Sequence, residues 1–303
     1  MYEVGQALGL TILGGITGIA SAGLAVSAFT LVVPILIVMY DLHTFDALFI
    51  SFFCDFVNGF LVFFMYRKYL PEDAFRSVIS LSLISTVCAL LVCNFVGIEF
   101  VKSHEDRFKH GVTYFSFIIA FVLLFKAYRI WRSSPITDSP EIMRVPLLDL
   151  DDVETVVIPD AVYMELEDAS SEIGNEEGQV NAVISSVCFF GIMSCFSGVV
   201  GFGGGNAYAM YFILVLKWPV TKSTSASGLI SASVMLSMVV LYIWSGVIVD
   251  PNKVSLVLGI CLPVDFVVNV FTCFHMKELS EHVLMFLVGV IFVIIGAAAA
   301  ILA

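Results

Sequence analysis

Charge is scarce in this sequence. Asp, Glu, Lys and Arg make up 13% of its 303 residues, whereas 59% are apolar and the mean hydropathy is +1.00. A water-soluble domain carries about 25% charged residues, so that class is excluded. Metal-binding patterns are absent as well. The seven cysteines (Cys54, Cys88, Cys93, Cys188, Cys195, Cys261, Cys273) lie in or near apolar segments and form no CxxC pair. Zinc or thioredoxin-like chemistry is therefore not expected, and buried free thiols are. The five histidines show no metal spacing and there is no HExxH. Ile19-Ala20-Ser21-Ala22-Gly23 lacks the first glycine of a GxSxG elbow. Gly201-Phe202-Gly203-Gly204-Gly205-Asn206 breaks GxGxxG at its last position and joins two apolar segments rather than a βαβ unit. No catalytic residue, metal, cofactor or nucleic-acid partner is expected. Met1-Tyr2-Glu3 lacks a basic n-region, so the first apolar run reads as a span rather than a cleaved signal peptide.

What the sequence has instead is length in apolar runs. Polar breaks divide it into segments at 4–20, 24–40, 44–66, 74–98, 109–131, 181–200, 205–217, 222–246, 252–275 and 280–302. About 20 apolar residues cross a bilayer, so this pattern predicts an all-α polytopic membrane protein of about ten segments. Segment 205–217 covers only about 20 Å as a helix, short of a hydrocarbon core of about 30 Å. It reads as a half-helix or re-entrant piece, with 24–40, interrupted by Pro34, as its counterpart.

An offset of 180 residues brings landmarks into register. Gly18 falls on Gly198, Thr44 on Thr224, Ser51 on Ser231, Leu61 on Leu241 and Pro71 on Pro251, with Thr17 on Ser197. This predicts two repeats, 1–131 and 181–303, separated by a linker at 132–180. Five spans per repeat force the halves to enter the membrane in opposite senses. The expected architecture is thus an inverted repeat with short or broken helices near the midplane.

The linker carries the acidity. Residues 133–180 hold thirteen Asp or Glu and one basic residue, Arg144; outside it the 14 basic and 26 acidic residues of the chain reduce to thirteen of each sign. Its four prolines and dispersed acids fit a disordered connector, or a partner-binding segment. Ten of the fourteen Lys and Arg lie in loops on one side of the expected topology, which makes that side cytoplasmic and puts the acidic segment there.

Three groups of residues could carry chemistry. The first is the glycine-rich break, with Gly198, Gly201, Gly203, Gly204 and Gly205 before Asn206. It can expose backbone N–H groups to a lumen and aim a helix N-terminus at an anion. It can equally serve close helix packing, as can Gly14 and Gly18. The second is Lys222-Ser223-Thr224-Ser225-Ala226-Ser227, whose hydroxyls can donate to an oxyanion or cap a helix. Thr44 is its counterpart in the first half, beside Asp46 and His43. The third is the set of polar residues inside spans, Asp55 with Asn58 and Asp265 with Asn269. A carboxylate there is costly and faces a bundle interior or a wet path, so these acids can carry a coupling charge or a structural hydrogen bond.

The stretch Gly198-Val199-Val200-Gly201-Phe202-Gly203-Gly204-Gly205, followed by Thr224-Ser225-Ala226, resembles the TauE/SafE sulfite exporter family. The resemblance covers roughly 5–98 and 181–300, and it is faint in the first half, where Ser21-Ala22-Gly23-Leu24-Ala25 replaces the glycine run. It implies a multi-pass permease for small sulfur-containing anions such as sulfite, sulfonates or thiosulfate.

The expectation is therefore a secondary transporter of small oxyanions working by alternating access in the plasma membrane. Its substrate would be held by Gly198, Gly201, Gly203, Gly204, Gly205, Asn206, Thr224 and Ser225, with Gly18 and Thr44 completing the site. Asp55, Asp265 and Asp46 are candidates for coupling to a proton or cation. Its partners would be the anion, the coupling ion and the lipid bilayer, and the sequence leaves oligomerisation open. An anion channel, or a non-transporting scaffold or receptor using the acidic segment, are the alternatives.

Overall fold

A computed structural model describes residues 4–24, 27–105, 107–108, 111, 121, 124–125, 128, 176–201, 204–275, 286, 290, 293 and 297. The chain divides into two compact units, Met1–Ser134 with Phe190–Ala303, and Pro135–Phe189. Of the second unit the described part is 176–189, the opening of one helix; the acidic residues before it lie outside the described residues.

The described elements are helices, and no strand occurs among the described residues. In order they are α1 (Val4–Leu24), α2 (Phe29–Tyr40), α3 (Thr44–Tyr66), a 3-10 turn (Arg67–Tyr69) and α4 (Glu72–Val92). A π-helical segment (Cys93–Gly97) leads into α5 (Ile98–Ser103). Then come α6 (Glu176–Val200), α7 (Gly205–Leu214), α8 (Val220–Ser245) and α9 (Pro251–His275). Six described helices are long and apolar enough to cross a membrane: Val4–Ala22, Thr44–Tyr69, Glu72–Ser103, Val183–Val200, Lys222–Ser245 and Pro251–His275. Of the ten expected segments, 109–131 and 280–302 fall almost wholly outside the described residues. Segments 24–40 and 205–217 are the short helices α2 and α7, of 12 and 10 residues. At 1.5 Å per residue these reach about 18 and 15 Å, half a hydrocarbon core.

Local chemistry sets the ends of these helices. Pro71 and Pro219 stand at the N-caps of α4 and α8 in extended conformation, and Pro251 is the first residue of α9. Proline suits these positions because its missing N–H has no helical partner there. His43 caps α3, its Nδ1 accepting from the Phe45 N–H at 3.4 Å. Gly246, at φ 62, ends α8 in a left-handed cap.

Packing depends on backbones that come close together. α1 lies along α9, α3 crosses α8 and touches α9, α4 packs on α8, and α2 packs on α3. A Cβ built on Gly18 would stand 2.6 Å from the Asp265 carbonyl oxygen, and one on Gly14 would collide with the Cys261 carbonyl. Four residues along α1 thus correspond to four along α9 in the same direction, so these helices run parallel. A Cβ on Gly59 would stand 2.8 Å from the Gly228 carbonyl oxygen, and one on Gly228 the same distance from the Gly59 carbonyl. Phe45 and Phe52, earlier on α3, meet Tyr242, later on α8. These two helices run antiparallel. Gly198 near the end of α6 presses on α4, where a Cβ would be 2.5 Å from the Ala89 carbonyl oxygen. Small residues permit such approach in a medium that offers helices little hydrophobic drive to associate. Phe60 and Phe64 of α3 are exposed on the outer surface, a face suited to lipid.

Candidate functional site

The arrangement leaves a small interior cavity of about 30 Å³ among α1, α2, α3, α7 and α8. Its lining reads as two helix faces with three additions. Asp55, Gly59 and Val62 come from α3, at spacing i, i+4, i+7; Thr224, Ser227, Gly228 and Ser231 come from α8, at i, i+3, i+4, i+7. Ser21 of α1, Ser27 before α2 and Gly205 at the start of α7 complete it. Among the described residues no Lys, Arg or His lines it. A volume of this size admits a water or two, so a polyatomic ion would require the walls to part.

Two short helices point their N-termini into this region, and the chain treats them differently. At the start of α2 the protein supplies its own anion. Asp55 Oδ1 accepts from the Ala28 N–H at 2.5 Å, and Oδ2 accepts from the Ser27 hydroxyl at 2.5 Å. A carboxylate at this position complements the helix dipole. Among the described residues no such group stands at the start of α7. Gly204 stands at the N-cap with φ 66 and makes no side-chain cap. The first N–H groups of a helix have no partner within the helix, and those of α7 bond no described residue. Gly201, at φ 83, gives the turn before α7 its other left-handed residue, and a Cβ there would meet Leu48 and Phe52 at 2.9 Å. Glycine is required at both positions on grounds of backbone conformation and of space.

Side chains fix α7 in place. Tyr208 is fully buried, stacks on Phe190 of α6 at 5.0 Å and exchanges a hydrogen bond of 2.9 Å with Ser194. The cavity hydroxyls differ in how they are used. Ser227 donates to the Thr224 carbonyl at 3.1 Å. The hydroxyls of Ser21, which is 7% exposed, and of Thr224 have no protein partner among the described residues. These are the donors left over for a ligand.

One turn along α3 from Asp55 is a second polar cluster. Asn58 Nδ2 donates to Asp265 Oδ2 at 3.0 Å, and Asn269 Nδ2 donates to Asn58 Oδ1 at 2.8 Å. Asn58, Asp265 and Asn269 are at most 1% exposed. This cluster ties α3 to α9 and does not line the cavity.

Of the residues expected at a site, the structure brings Gly205, Thr224 and Asp55 together. It takes others elsewhere. Gly18 and Gly198 press on neighbouring helices, and Gly201 and Gly204 shape the turn before α7. Thr44 donates to Glu105 at 2.8 Å. Asp46 accepts from the N–H groups of Val249 at 2.8 Å and Asp250 at 3.1 Å, fastening the approach to α9. Ser225 is buried without a hydrogen-bond partner and is not part of the lining. Gly203 lies outside the described residues; Asn206 is the second residue of α7. The cation of the hydroxyl cluster, Lys222, sits 3.9 Å over the Trp218 ring. Sequence reasoning does not single out Ser21, Ser27, Gly59, Gly228 or Ser231 as lining residues. The i, i+3, i+4, i+7 run of small and hydroxyl residues from Thr224 to Ser231 is the signal that could have found two of them, Gly228 and Ser231.

A second, larger cavity of about 380 Å³ is lined by Phe29, Phe100, His104, Arg107, Phe108, Gly111, Phe196 and Val200. Phe29 is the residue after Ala28, so this space ends beside the turn that Asp55 caps. It is mainly aromatic, with Arg107 and His104 as its basic groups.

With helices alone among the described residues, six of them apolar and of spanning length, and a cavity lined by hydroxyls and a carboxylate, this is a multi-pass membrane protein. The description fits a permease better than an enzyme. The model of the sulfite exporter TauE/SafE family matches residues 4–299, nearly the whole chain, and the chain belongs to that family of membrane transporters. No curated protein and no solved structure matches it significantly.

Proposed function

We propose that this protein is a secondary transporter of small sulfur oxyanions such as sulfite, sulfonates or thiosulfate, moved by alternating access between two inverted halves. The observation that carries the reading is the cavity, where an uncapped helix N-terminus at Gly205 meets the unpartnered hydroxyls of Ser21 and Thr224. Backbone N–H groups and hydroxyls hold an oxyanion without a buried cation. Gly203, Asn206 and Ser225 belong to the same segments and would contribute as the site opens. Thr44, Gly18, Gly198 and Gly201 serve it through shape.

The inverted plan has independent support. With the offset of 180 residues, α1, α2, α3 and α4 correspond to α6, α7, α8 and α9. Inversion requires α3 to run against α8, and α1 to run along α9; the contacts of Phe45 and Phe52 with Tyr242 support the first and the Gly14 and Gly18 contacts the second. Thr17 and Ser197, equivalent under the offset, each donate four residues back, to Leu13 and Met193. The cavity then lies between halves, as in other transporters built this way. Asp55 at the cavity and Asp265 behind it are where a coupling proton or cation would be held; Asp46 has a capping role. We place the protein in the plasma membrane with 132–180 as a cytoplasmic linker, so deleting 135–178 should leave flux intact.

The test is uptake of labelled sulfite, thiosulfate and taurine by liposomes holding the full chain, with and without a pH gradient. Saturable uptake that Thr224→Val weakens is the expected result. Absence of anion-dependent flux in a folded preparation refutes the proposal. Flux that follows membrane potential without saturating makes the protein a channel instead.

A further inference from the structure

We propose that Asp55 determines the charge of the substrate: the cavity accepts a monoanionic oxyanion that carries its own proton, such as hydrogen sulfite, and rejects dianions. The inference rests on the anion site proposed above and narrows its substrate class: thiosulfate, a dianion near neutral pH, drops out of the candidates named there.

The argument begins with the two short helices. Each half of the chain directs one helix N-terminus toward the same cavity. The terminus of α2 is already occupied, because both oxygens of Asp55 accept hydrogen bonds there, from Ala28 and Ser27. The terminus of α7 is not. Under the 180-residue offset the position equivalent to Asp55 is Met235, so the second half has no carboxylate at the matching position. One of two similar cradles is filled by a tethered anion, and one is left for an anion from outside.

The tethered anion faces the incoming one. Asp55 and Gly205 line one cavity of about 30 Å³, so an oxyanion bound at the start of α7 shares it with the carboxylate. The other lining groups are Ser21, Ser27, Thr224, Ser227 and Ser231 with apolar atoms, none of them ionisable in this setting. Behind α3 the nearest ionisable groups are Asp265, held by Asn58, and the buried thiols of Cys54 and Cys261. No described lysine, arginine or histidine lines the cavity to offset the negative charge. A second charge on the substrate therefore meets repulsion in a poorly screened interior. A proton on the substrate converts that repulsion into a hydrogen bond, since each Asp55 oxygen has a lone pair beyond the one already used.

The test is equilibrium binding to the purified full chain just below neutral pH, where hydrogen sulfite is still the main form and Asp55 is ionised. Labelled sulfite is the probe, with sulfate and methanesulfonate as competitors. The expected order is hydrogen sulfite first, methanesulfonate weaker for want of a donor, and sulfate weaker by on the order of a hundredfold. Asp55→Asn, which removes the charge, should raise sulfate relative to sulfite by about tenfold or more, and Asp55→Glu should restore the wild-type order. A ranking is insensitive to a uniform loss of folded protein, and the wild-type ranking needs no variant. Sulfate binding within a few-fold of sulfite in the wild type overturns the proposal, as does an unchanged ranking in Asp55→Asn, while both leave the anion site standing. A folded protein that binds none of the three overturns the site and the proposal together.

Discussion

Replacing Gly228 by alanine tests whether α3 and α8 are held at backbone distance. The added Cβ would stand 2.8 Å from the Gly59 carbonyl oxygen and 3.2 Å from the Phe63 nitrogen, where ordinary contact begins at 3.4 Å. Both neighbours are backbone atoms, so no side chain can turn aside. The helices must separate by about 0.6 Å at the crossing, and overpacking of this kind costs about 1–3 kcal/mol. That corresponds to a roughly 5–150-fold fall in the folded-to-unfolded ratio. Gly59→Ala places its Cβ 2.8 Å from the Gly228 carbonyl across the same crossing. Separation that accommodates one methyl makes room for the other. The double variant should therefore cost less than the sum of the singles, with a coupling of at least about 0.5 kcal/mol. Unfolding of the purified chain in mixed micelles, followed by far-ultraviolet circular dichroism, measures all three. Neutral single variants, or a strictly additive pair, would refute the close crossing. Because both glycines line the cavity, flux should fall with stability in each variant.

Four further substitutions separate structural from ligand-facing residues. Asp46→Ala removes the acceptor for Val249 and Asp250 and should lower unfolding stability by about 0.5–2 kcal/mol, as loss of a cap does. Asn58→Ala leaves Asp265 and Asn269 without their shared partner and should cost about 1–3 kcal/mol in the same assay. Thr44→Val breaks the bond to Glu105 and should cost about 1 kcal/mol while leaving the KM for sulfite unchanged. Thr224→Val should do the reverse, raising KM about tenfold with stability almost unchanged, because its hydroxyl has no protein partner among the described residues.

Much of the helical frame was legible because apolar runs and prolines announce it. Segment 44–66 coincides with α3, and Pro71 and Pro251 each open a helix. The left-handed turn before α7 was legible in its glycines, since few other residues take φ 83 or φ 66. What could not be read was which helix meets which. Asp46 looks like an intramembrane acid until its partners appear 203 residues away. Thr44 and Thr224 are equivalent in sequence, yet one bonds Glu105 and the other faces the cavity. Gly18 and Gly205 belong to similar glycine-rich stretches, but Gly18 meets the backbone of α9 while Gly205 opens onto space. Ser21 and Ser27 acquire meaning through Asp55 and α7, and no local motif could supply that.

The pairing of α1 with α9 and of α3 with α8 has a consequence for how the protein is made. Gly59 and its contact Gly228 are 169 residues apart. At about 5–20 residues per second, a ribosome needs on the order of ten seconds or more to span that interval. Throughout it, α3 stands in the bilayer with its glycine face and the Asn58 side chain lacking their final neighbours, while Asp55 already has Ser27 and Ala28. The first half must wait in lipid for the second. Whatever holds it during insertion, a membrane chaperone or water retained around Asn58, is required by the same interleaving that later closes the cavity.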